Sequence, residues 1–136
     1  MGNRYLLDTN IVIYSLRPVE SAVEYIEKIS LSDGEFFFST ITEAEVFSKP
    51  LDEELTEAFD AFFSSGTIVP VNSEIARLAG EIRINTKAKL PDALIAATAL
   101  SLDAVLVTHD VNYYKKMQNS YDNLILEDPI GDDDIK

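Results

Sequence analysis

The chain is predicted to fold as an α/β protein, with a mostly parallel sheet of four to five strands covered by helices on both faces. Three observations predict it. The strand-like runs are short and continuously apolar (RYLLD, EFFFS, AVLVT), the pattern of strands buried on both sides. Amphipathic or wholly apolar helical segments separate them, as crossovers between parallel strands require. Neither a repeat nor a linker divides the sequence, so 136 residues are expected to share one domain.

Taken in order, Arg4–Asp8 reads as the first strand, and a helical segment from Ile11 to about Leu16 follows until Pro18 ends it. Glu20–Ser30 carries Ala22, Val23, Ile26 and Ile29 at spacings of three and four, the signature of an amphipathic helix. Glu35–Ser39 is the second strand. Thr42–Ser48 is a short helix stopped by Pro50, and Asp52–Ser64 another, with Leu55, Ala58, Phe59 and Phe62 on its apolar face. Thr67–Val71 is a third strand that Pro70 places at an edge or ends. Ser73–Thr86 turns Ile75, Leu78, Ala79 and Ile82 inward. Pro91–Leu102 is apolar nearly all round and should be buried on most sides. Ala104–Thr108 is a fourth strand, Val111–Met117 a short helix and Asn123–Leu126 a fifth strand. Residues 1–128 form the expected domain, and 129–136, containing GDDDIK, read as a solvated acidic tail.

Composition narrows the chemistry. The absence of Cys excludes disulfides and thiolate metal sites, and a single histidine, His109, argues against a histidine-based zinc site. The opening residues lack the apolar core of a signal peptide, and no run is long enough to span a bilayer. A soluble, cytoplasmic protein is expected. With 24 acids against 11 bases the net charge is −13, which opposes a polyanionic partner at long range.

In a parallel sheet the strand C-terminal ends share one edge, where ligands gather. Four acid positions fall near that edge: Asp8 after strand one, Glu43 or Glu45 after strand two, Asp92 at the head of the apolar helix, and Asp110 after strand four. Each has an ordinary structural explanation. Thr40-x-x-Glu43 and Thr42-x-x-Glu45 both match a capping box. Asp92 answers a helix dipole, Asp110 suits an N-cap, and Asp8 suits an Asx turn onto the Asn10 N–H. Their convergence is harder to explain that way. Two carboxylates about 4 Å apart repel by roughly 4 kcal/mol at an effective dielectric near 20. No Lys or Arg lies within the four motifs, so a divalent cation is the natural neutraliser, and all-oxygen ligands select Mg²⁺ or Mn²⁺.

These segments resemble the PIN-domain family, in particular its small toxin-type nucleases of the VapC kind. LLDTNIVI (6–13), STITEAEVF (39–47), LPDALIAATAL (90–100) and AVLVTHD (104–110) follow the family's motifs in order and spacing, as far as about Leu126. The resemblance implies a three-layer α/β/α sandwich and a metal-dependent endoribonuclease. Asp8, Glu45 (rather than Glu43), Asp92 and Asp110 would then be both catalytic and metal-binding. It also implies a homodimer and a cognate antitoxin. His109 departs from the arginine frequent in relatives, which weakens a basic contact there.

On this reading the acids hold one or two ions that activate a water for attack on an RNA phosphodiester. Thr9, Asn10 and Thr108 would orient the carboxylates, although turn and cap hydrogen bonding explains them equally well. A local basic strip partly answers the charge objection. Arg77, Arg83, Lys87 and Lys89 fall within thirteen residues that contain one acid, Glu81, just before Asp92. Arg83, Lys87 and Lys89 are the expected RNA contacts. The rival reading is a non-catalytic PIN-type scaffold that binds protein partners. A haloacid-dehalogenase-type phosphatase would need Asp where Asn10 stands, and a response-regulator receiver would need a strand-end Lys that Thr108-His109-Asp110 does not supply.

Overall fold

Five parallel strands lie in the order β3-β2-β1-β4-β5 in the computed structural model, which describes residues 3–131. They are β1 (Arg4–Leu7), β2 (Glu35–Ser39), β3 (Thr67–Val69), β4 (Val105–Val107) and β5 (Leu126–Glu127). The chain builds outward from β1 through β2 to β3, then crosses back to add β4 and β5 on the other side. Strand order therefore reverses between β1 and β4. Loops leaving neighbouring strands diverge at such a point and open a crevice beyond their C-terminal ends.

The strands sort their side chains between two cores by simple alternation. Leu6 and Leu106 enter one core, and Leu7, Val107, Phe36 and Phe38 enter the other. The first core is covered by α5 (Ser73–Thr86), α6 (Leu90–Leu102) and α7 (Val111–Gln118). The second is covered by α1 (Thr9–Leu16), α2 (Glu20–Leu31), α3 (Thr40–Phe47) and α4 (Glu53–Ser64). The result is the expected α/β/α sandwich. As its composition requires, α6 is the central helix, with Ala93 and every residue from Ile95 to Ala99 buried.

The structure corrects several details. α1 starts at Thr9 and α3 at Thr40, two residues earlier than periodicity suggests, because Asp8 and Ser39 at the strand ends act directly as N-caps. α4 is rotated from its expected face: Phe59 and Phe63 are buried, while Leu55 is exposed. Phe63 wins the inward place by meeting Phe38 edge-on at 5.0 Å, an arrangement favoured by the ring quadrupoles. On α2, Tyr25 is buried with Ala22 and Ile29, and Val23 is not, since the Tyr25 hydroxyl donates to Glu127 at 2.7 Å.

The fifth strand lies at Leu126–Glu127 and not over Asn123–Leu126. Leu124 is instead buried in a turn whose N–H bonds the Tyr121 carbonyl. Beyond Asp128 the chain still packs against the domain. Ile130 is buried in the second core and the Gly131 N–H donates to Ser21. The rest of the expected tail, 132–136, lies outside the described residues. No described helix is long and apolar enough to cross a membrane.

Candidate active site

Asp8, Thr108, His109 and Asp110 stand at the point of strand reversal, because β1 and β4 are direct neighbours with Leu7 beside Val107. Asp8 is buried, 7% exposed. Its Oδ1 accepts the Thr9 N–H at 2.8 Å, so part of its role is to cap α1. The expected turn onto Asn10 does not form. Its Oδ2 accepts the Thr108 hydroxyl at 2.8 Å, a contact between residues a hundred positions apart. Thr108 is fully buried and in turn accepts the Asp110 N–H at 3.0 Å. One hydroxyl thus holds one acid and the backbone of another.

Asp110 occupies the N-cap position of α7, yet its side chain makes no capping bond. Its Oδ2 faces the Asn10 amide nitrogen at 3.4 Å, while Asn10 Oδ1 accepts the His109 N–H at 3.2 Å. Asn10 therefore bridges the two strand ends. The His109 ring pairs elsewhere, with Nδ1 3.1 Å from Asp128 Oδ2.

Glu45 comes in from α3. Its Oε1 accepts the Thr9 hydroxyl at 2.6 Å, and that hydroxyl also stands 3.2 Å from Thr42 Oγ1. Glu43 faces a different hollow, lined with Asp60, Phe63 and Ser64. Asp92, in the first turn of α6, is half-buried and lies in the field of Glu45. The acids from four distant segments are thereby linked: Glu45 to Thr9 beside Asp8, and Asp8 electrostatically to both Asp92 and Asp110.

Two groups at this site escaped the sequence reading. Tyr114, 1% exposed, places its hydroxyl 3.4 Å from Asp92 Oδ1 and faces Asp8 and Asp110 as well. Tyr113 stands near enough to the Asp92 carboxylate to hold its pKa down and accepts the Lys89 N–H at 2.8 Å. The signal was available. Tyr113 and Tyr114 lie three and four residues after Asp110 on α7, where side chains share its face.

The electrostatics record crowding. Burial, opposed by the Thr108 and Thr9 hydrogen bonds and reinforced by Asp92 and Asp110, raises the Asp8 carboxyl to about 6. Burial also raises Asp92, with Glu45 adding to it, against hydrogen bonds from Tyr113 and Tyr114 and the charge of Lys89. Tyr114 is pushed far up by burial and the three aspartates, so its hydroxyl remains a donor. No lysine or arginine is buried among the described residues, so no fixed cation fills the space between the acids.

Such a donor set, all oxygen and under-neutralised, fits a hard divalent cation. Among the described residues no group of three or more acidic or imidazole side chains is placed to hold a metal ion by itself. Mg²⁺ does not need one: it keeps several waters and takes one or two carboxylates together with substrate phosphates. Of the expected RNA contacts, Lys89 acts on Asp92, Lys87 lines a neighbouring cavity, and Arg83 sits in the last turn of α5, all three exposed.

The sequence model of the PIN domain matches residues 5–118. Ribonuclease VapC19 of Mycobacterium tuberculosis is 30% identical over 114 residues, 80% of this chain and 90% of that protein. Ribonuclease VapC2 of Rickettsia felis is 28% identical over 132 residues, 90% of this chain and 96% of the relative. Among solved structures, VapBC2 from Rickettsia felis bound to a DNA fragment from their promoter superposes with a TM-score of 0.78 at 27% identity. That match covers 92% of this chain and 98% of its counterpart.

Proposed function

The chain belongs to the PIN-domain family, and from that and its site we infer that it is a ribonuclease toxin, a Mg²⁺- or Mn²⁺-dependent endoribonuclease held in check by an antitoxin. The observation that supports the reading is electrostatic coupling among acids of distant segments, Asp8 with Asp92 and Asp110 and Asp92 with Glu45, with no buried basic side chain among the described residues. These four would hold the metal, which when bound supplies an activated water and charge neutralisation at the phosphate. The protein's own contribution is positional. Thr108 fixes Asp8, Thr9 fixes Glu45, Asn10 ties Asp110 to the β4 end, and Tyr113 and Tyr114 direct protons at Asp92. Lys87 and Lys89, with Arg83 behind them, offer positive charge beside the acids.

The partner assignment follows the same relatives: the matched Rickettsia structure is a VapBC2 assembly. Exposed apolar side chains such as Leu31, Phe47, Leu55 and Ile84 supply surface for an antitoxin and for a second copy of the chain in a homodimer. A cytoplasmic location suits an RNA substrate. The test is cleavage of structured RNAs with Mn²⁺, with and without EDTA, beside an Asp92→Asn control. Cleavage is expected only in the metal-replete wild type, and activity that survives EDTA or the substitution overturns the mechanism. A scaffold of the same fold, which the acidic surface favours, would instead keep its partner binding after Asp8→Ala and cleave nothing before it.

A further inference from the structure

The net charge is −13, yet among the described residues the one ion pair is His109 with Asp128. The described lysines are not committed to neutralising acids. Lys87 and Lys116 flank a cavity of about 180 Å³ between the C-terminal end of α5 and one face of α7. Thr86, Ala88, Tyr113 and Met117 complete its lining. No acid lines it, in a chain with 24 of them.

The sequence builds this hollow in two steps. Lys87 takes a left-handed conformation (φ 59°) that ends α5 and turns the chain toward α6, closing one wall. On α7, Tyr113, Lys116 and Met117 recur at i, i+3 and i+4 and form the other. Met117 is buried as the apolar floor, while both lysines are exposed and reach over it. At about 30 Å³ per water, the cavity has room for roughly six waters, enough for a phosphodiester group with part of its sugar. It also touches the acidic crevice directly. The Tyr113 that forms its wall stands beside Asp92 and accepts the Lys89 N–H.

Lysines at helix C-termini also answer the helix dipole, and that alone explains Lys115 and Lys116 in the last turn of α7. It does not explain an acid-free concavity sharing a wall with the acid cluster. We propose that this cavity is a phosphate subsite, which holds the RNA phosphodiester adjoining the scissile one through Lys87 and Lys116. This rests on the ribonuclease reading above and supplies what that reading lacks, a defined grip on a polyanion by an acidic protein. The lysine side chains provide the grip, since the Lys87 N–H is already bonded to the Arg83 carbonyl.

The test uses a short RNA that the wild-type protein cleaves at one mapped bond, with neutral methylphosphonate replacing each adjoining linkage in turn. In the Lys87→Ala/Lys116→Ala double variant, KM rises about ten-fold or more, as for a lost charge-assisted contact, with kcat within about two-fold. The dependence of log affinity on log salt falls by about one. One methylphosphonate position raises KM for the wild type to the same extent and has no further effect on the double variant. Lys87→Arg/Lys116→Arg restores binding, and Mn²⁺ affinity is the same in all forms. An unchanged KM and salt slope in the double-alanine variant overturns the subsite, as do additive losses from the variant and every neutral linkage. A wild type that cleaves no RNA marks failure of the ribonuclease reading itself, a result distinct from lysine variants that cleave as well as the wild type.

Discussion

Replacing Asp8 by Asn should make the metal-free protein more stable at neutral pH while abolishing its use as a ligand. Burial and the neighbouring aspartates raise the Asp8 carboxyl from 3.8 to about 6. At about 1.4 kcal/mol per unit, holding it ionised in the fold costs about 3 kcal/mol. Between those two values the native form keeps a proton that the unfolded chain has released. Its stabilising contribution is therefore complete below pH 3.8 and is lost as pH rises through about 6. Asn cannot titrate and is close to isosteric. Its oxygen still accepts from Thr9, and the Thr108 hydroxyl must turn to accept from the new amide, a loss of about 1 kcal/mol.

The variant should thus gain about 2 kcal/mol over the wild type at pH 7.5 and lose about 1 kcal/mol at pH 4 or below, where only the altered hydrogen bond counts. Urea unfolding of both proteins in EDTA across this range measures the difference, in which the titration of acids not coupled to Asp8 cancels. Mg²⁺ should then reverse the order, since it stabilises the wild type alone, by about 2.7 kcal/mol at a hundred times its dissociation constant. A variant no more stable than the wild type in EDTA at pH 7.5, or a gap that ignores pH, would refute the claim that Asp8 is a strained carboxylate awaiting a cation.

Thr108→Val strips a hydroxyl from both Asp8 and the Asp110 N–H, and should lower Mn²⁺ affinity about 10- to 100-fold by calorimetry. It should also move the pH midpoint of metal binding upward, because that hydroxyl holds Asp8 down. Tyr114→Phe keeps the buried ring and removes a donor to Asp92, so RNA cleavage should weaken more at pH 6 than at pH 8 while the urea midpoint barely moves. An equal loss at all pH values would assign Tyr114 to packing. On α4, Phe63→Ala should cost about 3–5 kcal/mol in urea unfolding and Leu55→Ala about 0.5 kcal/mol or less, the reverse of what periodicity alone implies.

The elements were legible because both-face burial demands unbroken apolar runs. Arg4–Leu7, Glu35–Ser39 and Val105–Val107 could hardly be anything else once helices were recognised between them. The rotation of α4 was not, since Leu55 and Phe63 suit the same pattern, and only the position of Phe38 across the interface chooses between them. β5 was blurred for a similar reason: Leu124 is apolar because it plugs the core from a turn, not because it pairs. The acids could be placed by their position after strands, and Glu45 could be separated from Glu43 only by resemblance. In the fold that choice becomes physical, because Thr9 reaches Glu45. Tyr113 and Tyr114 passed as ordinary aromatic residues because Asp92 and Asp8, which they face, lie on other segments, and only their spacing from Asp110 pointed to the site.

The pairing of β1 with β4 also has a consequence during synthesis. Residue 8 meets its partner hydroxyl a hundred positions later, and the strand leading to that hydroxyl is next to last in the sheet. Contacts so distant along the chain form late and slowly. A ribosome that has delivered only the first ninety residues has released Asp8 and Glu45 but neither Asp110 nor the hydroxyl that positions Asp8. On the proposed site, such a partial chain also lacks Asp92, so its acids would be assembled only after β4 has joined β1 in the sheet.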